Sequence, residues 1–317
     1  MSTIQANAIV VPRDELDLDR VLMSGQAFRW RRDDEGWWVS PVGSRDAVLS
    51  VARQGEELLV DALNVDPKAA ASDYFRLDTS LIKLKEYWLE IGETELAESI
   101  ARSPGLRIIR QEPVECLISF LCSSAAPIHR IRRSVDGMCR ENGKYIGHWH
   151  GLEHYAFPEL ERLSELKRAD LDLLGLGFRG RYVIEASREI LRRGGRVWLD
   201  QLRHASYEEA KENLVTLPGV GEKVADCVCL FSLDKSEAVP IDVHMARVAK
   251  RQFAQCHEMK TVTAKSYALA ANSFRQRYGG YAGWAQQYFF YAEIERRGLW
   301  DQDLGKHRPR NRGTVDG

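Results

Sequence analysis

Leu217-Pro218-Gly219-Val220-Gly221-Glu222-Lys223-Val224-Ala225-Asp226-Cys227, followed by Val239-Pro240-Ile241-Asp242-Val243-His244, sets a glycine turn, an amine and a carboxylate close together along the chain. Gly219 and Gly221 have access to backbone angles barred to other residues and let the chain approach a ligand closely. With Val220, their amides and those opening the next helix point unpaired at solvent, which makes an anion site. A plain helical connection with glycine caps would look the same. Lys223 falls in the first turn of the following helix, where the positive end of the dipole disfavours its charged form. A lysine that sheds its proton attacks electron-poor carbon and forms a Schiff base. Cys227, one turn on, shares its face, while Val224, Val228 and Phe231 form the neighbouring apolar stripe. Asp242 is placed to cap the helix beginning at Val243. Held beside Lys223, the same carboxylate would stabilise positive charge developing on a substrate.

Working outward, Ser206-Tyr207-Glu208-Glu209 is a capping-box start for a helix running to about Val215. Pro218 ends the connection and a second helix starts near Glu222, so a helix-hairpin-helix is expected over about 206–234. Upstream, residues 1–104 read as a mainly β domain with helical inserts. Phe28–Arg31, Gly36–Ser40 and Ala47–Val51 are short β-prone runs separated by turn chemistry, which predicts antiparallel hairpins. From about Pro113 the pattern turns helical, with segments at Pro113–Ser123, Ser134–Glu141, Leu160–Leu174 and Arg181–Arg193. The expected fold is therefore α+β, mainly α: an N-terminal antiparallel sheet over 1–104, then a helical core over 105–300. Residues 301–317, rich in Arg, Gly and Pro, read as a basic disordered tail.

Of 317 residues, 44% are hydrophobic and 29% charged, the balance of an ordinary globular protein of two or three packed units. No apolar run approaches the ~20 residues of a membrane helix. The first 25 residues carry no signal or transit pattern, so no exported form is expected. That places the protein in the cytoplasm or nucleoid of a bacterium, or the nucleus of a eukaryote. The net charge of −1 divides unevenly: residues 1–100 hold 11 Lys/Arg against 19 Asp/Glu, the remainder 34 against 27. Local basic surface, rather than total charge, is what displaces counterions from phosphates. Cys116, Cys122, Cys139, Cys227, Cys229 and Cys256 include no Cys-x-x-Cys metal pair and read as buried thiols.

The hairpin-to-aspartate block, with Ser24-Gly25-Gln26-Ala27-Phe28-Arg29-Trp30, Glu115–Ser124 and Tyr281–Gln286, resembles the 8-oxoguanine glycosylases of the helix-hairpin-helix superfamily. The likeness runs from about Leu16 to Ile294. It implies a bifunctional DNA glycosylase/AP lyase that flips 8-oxoguanine out of duplex DNA, with Lys223 as nucleophile and Asp242 as the shared catalytic carboxylate. By the same resemblance, the Gly25 carbonyl meets the N7 hydrogen that distinguishes 8-oxoguanine from guanine. Gln286 bonds the base's pairing edge, Cys227 and Phe290 sandwich its faces, and Phe231 and Pro240 complete the pocket. His244 contacts a backbone phosphate, as do the hairpin amides. Leu174–Arg181 supplies the wedge at the orphaned base through Phe178 and Arg179, and Arg130 reads that base. The implied partner is duplex DNA containing oxidised guanine, bound by a monomer.

No iron–sulfur cluster is expected, because the four cysteines that endonuclease III and adenine glycosylase carry after the position of Cys256 are missing. No other cofactor or catalytic metal is expected; room remains for a structural cation bridging hairpin carbonyls and a phosphate. One departure stands out. Where the family places three asparagines, this chain has Ala125-Ala126-Pro127, which implies weaker discrimination for cytosine opposite the lesion. A monofunctional glycosylase for another damaged base, or a non-catalytic damage-binding protein, are the alternatives at this stage.

Overall fold

Alternating burial along the chain builds the first layer. In β5 (Glu57–Leu63), Leu58 and Val60 are fully buried and their neighbours are not, the period-2 pattern of a sheet with one covered face. The computed structural model describes residues 7–43, 46–92 and 94–298. Its antiparallel sheet comprises β1 (Asn7–Val10), β2 (Arg31–Arg32), β3 (Trp38–Pro41), β4 (Val48–Gln54) and β5, in the order β1-β5-β4-β3-β2. Helix α1 (Leu18–Met23) lies between β1 and β2. After the sheet come α2 (Pro67–Tyr74), α3 (Leu81–Glu90) and α4 (Thr94–Arg102).

The helical part opens with α5 (Pro113–Leu121), started by Pro113 and capped by Glu112, whose carboxylate accepts from Glu115 N at 2.8 Å. It continues through α6 (Ile128–Asn142), a hairpin of β6 (Tyr145–Trp149) and β7 (Leu152–Tyr155), and α7 (Leu160–Glu165). Then follow α8 (Arg168–Leu173), α9 (Phe178–Arg192), α10 (Arg196–His204), α11 (Tyr207–Val215), α12 (Glu222–Ser232), α13 (Val243–Gln252), α14 (Ala264–Tyr278) and α15 (Ala282–Arg296). No helix among the described residues is long and apolar enough to cross a membrane.

Two local expectations change, and one element is unexpected. The β-prone run at Phe28–Arg31 pairs only from Arg31. Phe28 meets Phe120 edge-on at 5.5 Å and Trp30 Nε1 donates to Tyr74 Oη at 2.7 Å, so tertiary packing overrides strand propensity there. The helix expected over Leu160–Leu174 is two, broken where Leu166 and Lys167 turn extended. The β6–β7 hairpin fills the stretch between the helical segments expected at Ser134–Glu141 and Leu160–Leu174, for which no element is expected; it is turned by His150 and Gly151, both at positive φ (50° and 69°), as a type I′ loop requires. The basic tail expected over 301–317 lies outside the described residues.

Two sets of contacts carry the fold to the site. The buried Gln26 side chain donates to Arg107 O and accepts from Ile109 N, and Gln111 N donates to Phe231 O. One extended segment therefore joins the Gly25 turn to the end of α12. Gly283 lets α15 lie directly on the loop before α13: its amide donates to Ser236 O at 2.9 Å, and an added Cβ would stand 2.2 Å from Ala238 O.

Candidate active site

Helices α11 and α12 form the expected hairpin, and Ser206 Oγ accepts from Glu209 N at 3.1 Å at its start. Gly219 takes φ +78°, and an added Cβ would lie 2.4 Å from the Tyr182 ring, so this turn needs glycine on two counts. Gly221 differs from expectation: at φ −93° and ψ 178° its backbone is ordinary and extended. Open space, rather than conformation, marks it, since nothing lies within 4 Å of an added Cβ. It caps α12 with no side-chain hydrogen bond, leaving the helix-opening amides to an external acceptor. The Val220 side chain is buried, so that residue offers only backbone.

Lys223, half-buried, projects from the first turn of α12. Its Nζ donates to Ser123 Oγ at 3.4 Å, just beyond the end of α5, and stands 5.0 Å over the Phe120 ring. Cys227 follows one turn along α12, on the same side as the amine. Burial pushes its thiol up to about 11, with the Lys223 charge opposing and Asp242 adding to the rise. Cys227 is therefore a neutral, polarisable surface at ordinary pH, and both Lys223 and Asp242 lie within electrostatic reach of it. Asp242 caps α13 as expected: its Oδ1 accepts from His244 N at 2.9 Å and Met245 N at 2.8 Å.

Helix α15, packed on α13, carries Gln286 and Phe290. Gln286 is 3% exposed and its Oε1 has no protein partner, the state of a group placed to meet a ligand. Phe290 is half-buried, with its ring 6.5 Å from that of His244 and near-perpendicular. Phe231 is buried and stacks on Phe120 at 5.6 Å with an 18° interplanar angle; Pro240 is also buried. Gly25, at φ +79°, sits in a turn pinned by Gln111 Nε2 to Gln26 O (2.8 Å) and by Gln287 Nε2 to Ser24 O (3.4 Å), which ties it to α15.

The remaining candidates lie on α6, on α9 and in the loop before α6. Arg130 is exposed in the first turn of α6. Phe178 is 57% exposed at the start of α9, as a wedge must be. Arg179 is not a free reader: its guanidinium donates to Gly175 O, Leu176 O and Cys122 O at 2.9–3.0 Å. It braces the wedge turn against the end of α5. Ala125, in the adjoining loop, takes φ +52°.

Phe120 and Ser123 escaped sequence reasoning as partners of Lys223. They lie a hundred residues away, and only the i, i+3 spacing that aligns them on one side of α5 hinted at a joint role. A cleft of about 560 Å³ at the other end of α5, lined by Asp73, Arg110, Glu112, Arg196 and Arg203, is laced by ion pairs. Among the described residues no three His, Cys, Asp or Glu side chains converge as metal ligands, and all six cysteines are free and buried.

Comparison with known proteins agrees with this geometry. The family profile described as 8-oxoguanine DNA glycosylase, N-terminal domain, matches residues 8–117. The chain is 34% identical to the N-glycosylase/DNA lyase OGG1 of Arabidopsis thaliana, covering 88% of this chain and 78% of that one. It is also 34% identical to the N-glycosylase/DNA lyase of Saccharomyces cerevisiae, over 90% and 85%. The Clostridium acetobutylicum 8-oxoguanine glycosylase/lyase, solved with double-stranded DNA containing cytosine opposite 8-oxoG, superposes with a TM-score of 0.78. That match has 27% identity and covers 89% of this chain and 93% of that one. With the glycine hairpin, Lys223 and Asp242 set as described, the chain belongs to the 8-oxoguanine DNA glycosylase/AP lyase family of the helix-hairpin-helix superfamily.

Proposed function

We propose that Lys223 and Asp242 carry the two half-reactions of a bifunctional 8-oxoguanine DNA glycosylase/AP lyase. The placement of the Lys223 amine at the opening of α12, directly after the glycine turn and held by Ser123 and Phe120, with Asp242 capping the next helix, carries this reading. The lesion base leaves the stack and enters the pocket between Cys227 and Phe290, where Gln286 Oε1 accepts from its pairing edge and the Gly25 carbonyl accepts its N7 hydrogen. As the bond from the base to C1′ breaks, positive charge grows on the deoxyribose and Asp242 stabilises it. The Lys223 nitrogen bonds C1′, the sugar ring opens, and a protonated Schiff base forms. Loss of a C2′ proton then expels the 3′ phosphate by β-elimination.

The amides of Gly219, Val220 and Gly221, with His244, hold the backbone phosphates, so grip does not depend on sequence. Phe178 fills the space beside the orphaned base, and Arg130 approaches it from α6. Nucleophilic and proton-transfer chemistry accounts for both steps, so the reading calls for no redox cofactor or catalytic metal.

Product analysis tests it. A duplex containing one 8-oxoguanine should yield free 8-oxoguanine and a strand ending in an unsaturated 3′ aldehyde, while an undamaged duplex yields neither. Base release that leaves an intact abasic strand would contradict the lyase half of this assignment.

A further inference from the structure

Asp226 stands three residues after Lys223 on α12 and is fully buried. A carboxylate there is costly unless its oxygens are met. Its Oδ1 accepts from the Tyr207 hydroxyl at 2.7 Å; its Oδ2 accepts from the Tyr267 hydroxyl at 2.5 Å and the Lys211 ammonium at 3.0 Å. Lys211 also pairs with Glu222 at 2.7 Å, and its ammonium lies 5.0 Å from the Tyr267 ring centre. Burial raises the Asp226 pKa, with Lys211 and the two hydroxyls working against it. Apolar side chains of similar volume would join these helices at less cost, so stability alone does not account for the network.

Its reach does. Tyr207 and Lys211 belong to α11, the limb before the glycine turn, and Asp226 to the helix that carries Lys223. Tyr267 belongs to α14, and its hydroxyl, having given its hydrogen to Asp226, accepts the Ile241 N–H at 3.3 Å. Ile241 immediately precedes Asp242. One buried carboxylate therefore links both limbs of the hairpin to the backbone that sets the α13 cap.

We propose that Asp226 and Tyr267 are positioning residues for base excision: they hold the Ile241–Asp242 segment against α12 so that carboxylate and amine address the same sugar. The proposal rests on the roles assigned above to Lys223 and Asp242. Both side chains are buried, Asp226 at 0% and Tyr267 at 3% exposure, so they act by holding the backbone rather than by meeting substrate.

Tyr267→Phe removes one oxygen and keeps the buried ring. Single-turnover excision of 8-oxoguanine should fall about tenfold, because small misplacements of a catalytic group are costly. Affinity for a duplex carrying a tetrahydrofuran abasic analogue should stay within about twofold. In an Asp242→Asn background the same substitution should have no further effect on the residual rate, since coupled positions are not additive. Asp226→Asn, which keeps the side chain's size, should reproduce the pattern and serves if Tyr267→Phe folds poorly. An unchanged rate in the folded variant overturns the proposal, as does an equal fold-loss in both backgrounds, the signature of a purely structural role. Wild-type protein that excises nothing overturns the underlying assignment and this proposal with it. Wild-type activity with an additive cycle overturns the proposal alone.

Discussion

The Lys223 ammonium lies 5.0 Å from the centre of the Phe120 ring, and that ring is stacked on Phe231 and met edge-on by Phe28. An aromatic face attracts a cation, and a ring clamped between two others holds its face in one place. The resting amine thus has a fixed berth, completed by Ser123 Oγ. Phe120→Leu keeps apolar volume and loses the face. Excision and Schiff-base formation should drop about tenfold with duplex affinity unchanged, at a stability cost of about 1–2 kcal/mol. Ser123→Ala should cost only about twofold. Single-turnover rates equal to wild type in Phe120→Leu would reduce the ring to packing.

Ala125 holds φ +52°, a region where asparagine is enriched and alanine uncommon. The wild-type chain, with no side chain there to meet the orphaned base, should excise opposite cytosine and adenine at similar rates. Ala125→Asn should favour cytosine by about fivefold or more and leave stability unchanged or slightly higher. Rates measured opposite all four bases decide this. A wild-type protein already strongly selective for cytosine would show that another group reads the partner base.

The hairpin tests its own anion site. Gly219→Ala places a methyl against Tyr182 at a positive φ. Stability should fall by about 1–3 kcal/mol and duplex affinity by about tenfold, even for undamaged DNA. Loss of stability with affinity intact, measured by fluorescence anisotropy, would locate the phosphate grip elsewhere.

Local rules carried much of this site from sequence to structure. The capping serine at 206, the glycine turn and the Asp242 cap each depend on neighbours within a few residues, and each stands where spacing placed it. The one-turn separation of Lys223 and Cys227 likewise put them on one side of α12. What stayed hidden depends on distant partners. Phe120 and Ser123 look like ordinary core and turn residues until α5 packs on α12. Asp226 reads as a polar residue in a helix until Tyr267 meets it. Strand β1 escaped because its four residues show no alternating burial and are held by pairing with β5, and the β6–β7 hairpin because His150 supplies a positive φ more often given by Asn or Gly. Gly221 shows the converse, a glycine whose backbone needs nothing special.

Stability at low pH should report on His154, which is fully buried on β7. Its Nε2 lies 3.1 Å from Trp149 O and its Nδ1 3.3 Å from an Arg31 nitrogen, so the carbonyl takes the ring's one hydrogen and the guanidinium takes its lone pair. That arrangement needs neutral imidazole, and burial lowers the pKa from 6.5 to about 4. Between those values the unfolded chain binds a proton that the folded chain refuses, so stability falls as pH drops from about 6.5 to 4. His154→Gln, which does not titrate, should flatten this part of the curve. Melting temperatures that decline identically in both proteins would rule the histidine out as the cause.

The nucleophile is the claim on which the rest depends. Wild-type protein and Lys223→Gln should each be mixed with an 8-oxoguanine duplex in the presence of borohydride, which reduces a Schiff base to a stable amine. The account predicts a covalent protein–DNA band with wild type and none with Lys223→Gln. A band that persists in the variant, or free base released by wild type with no band at all, would contradict it.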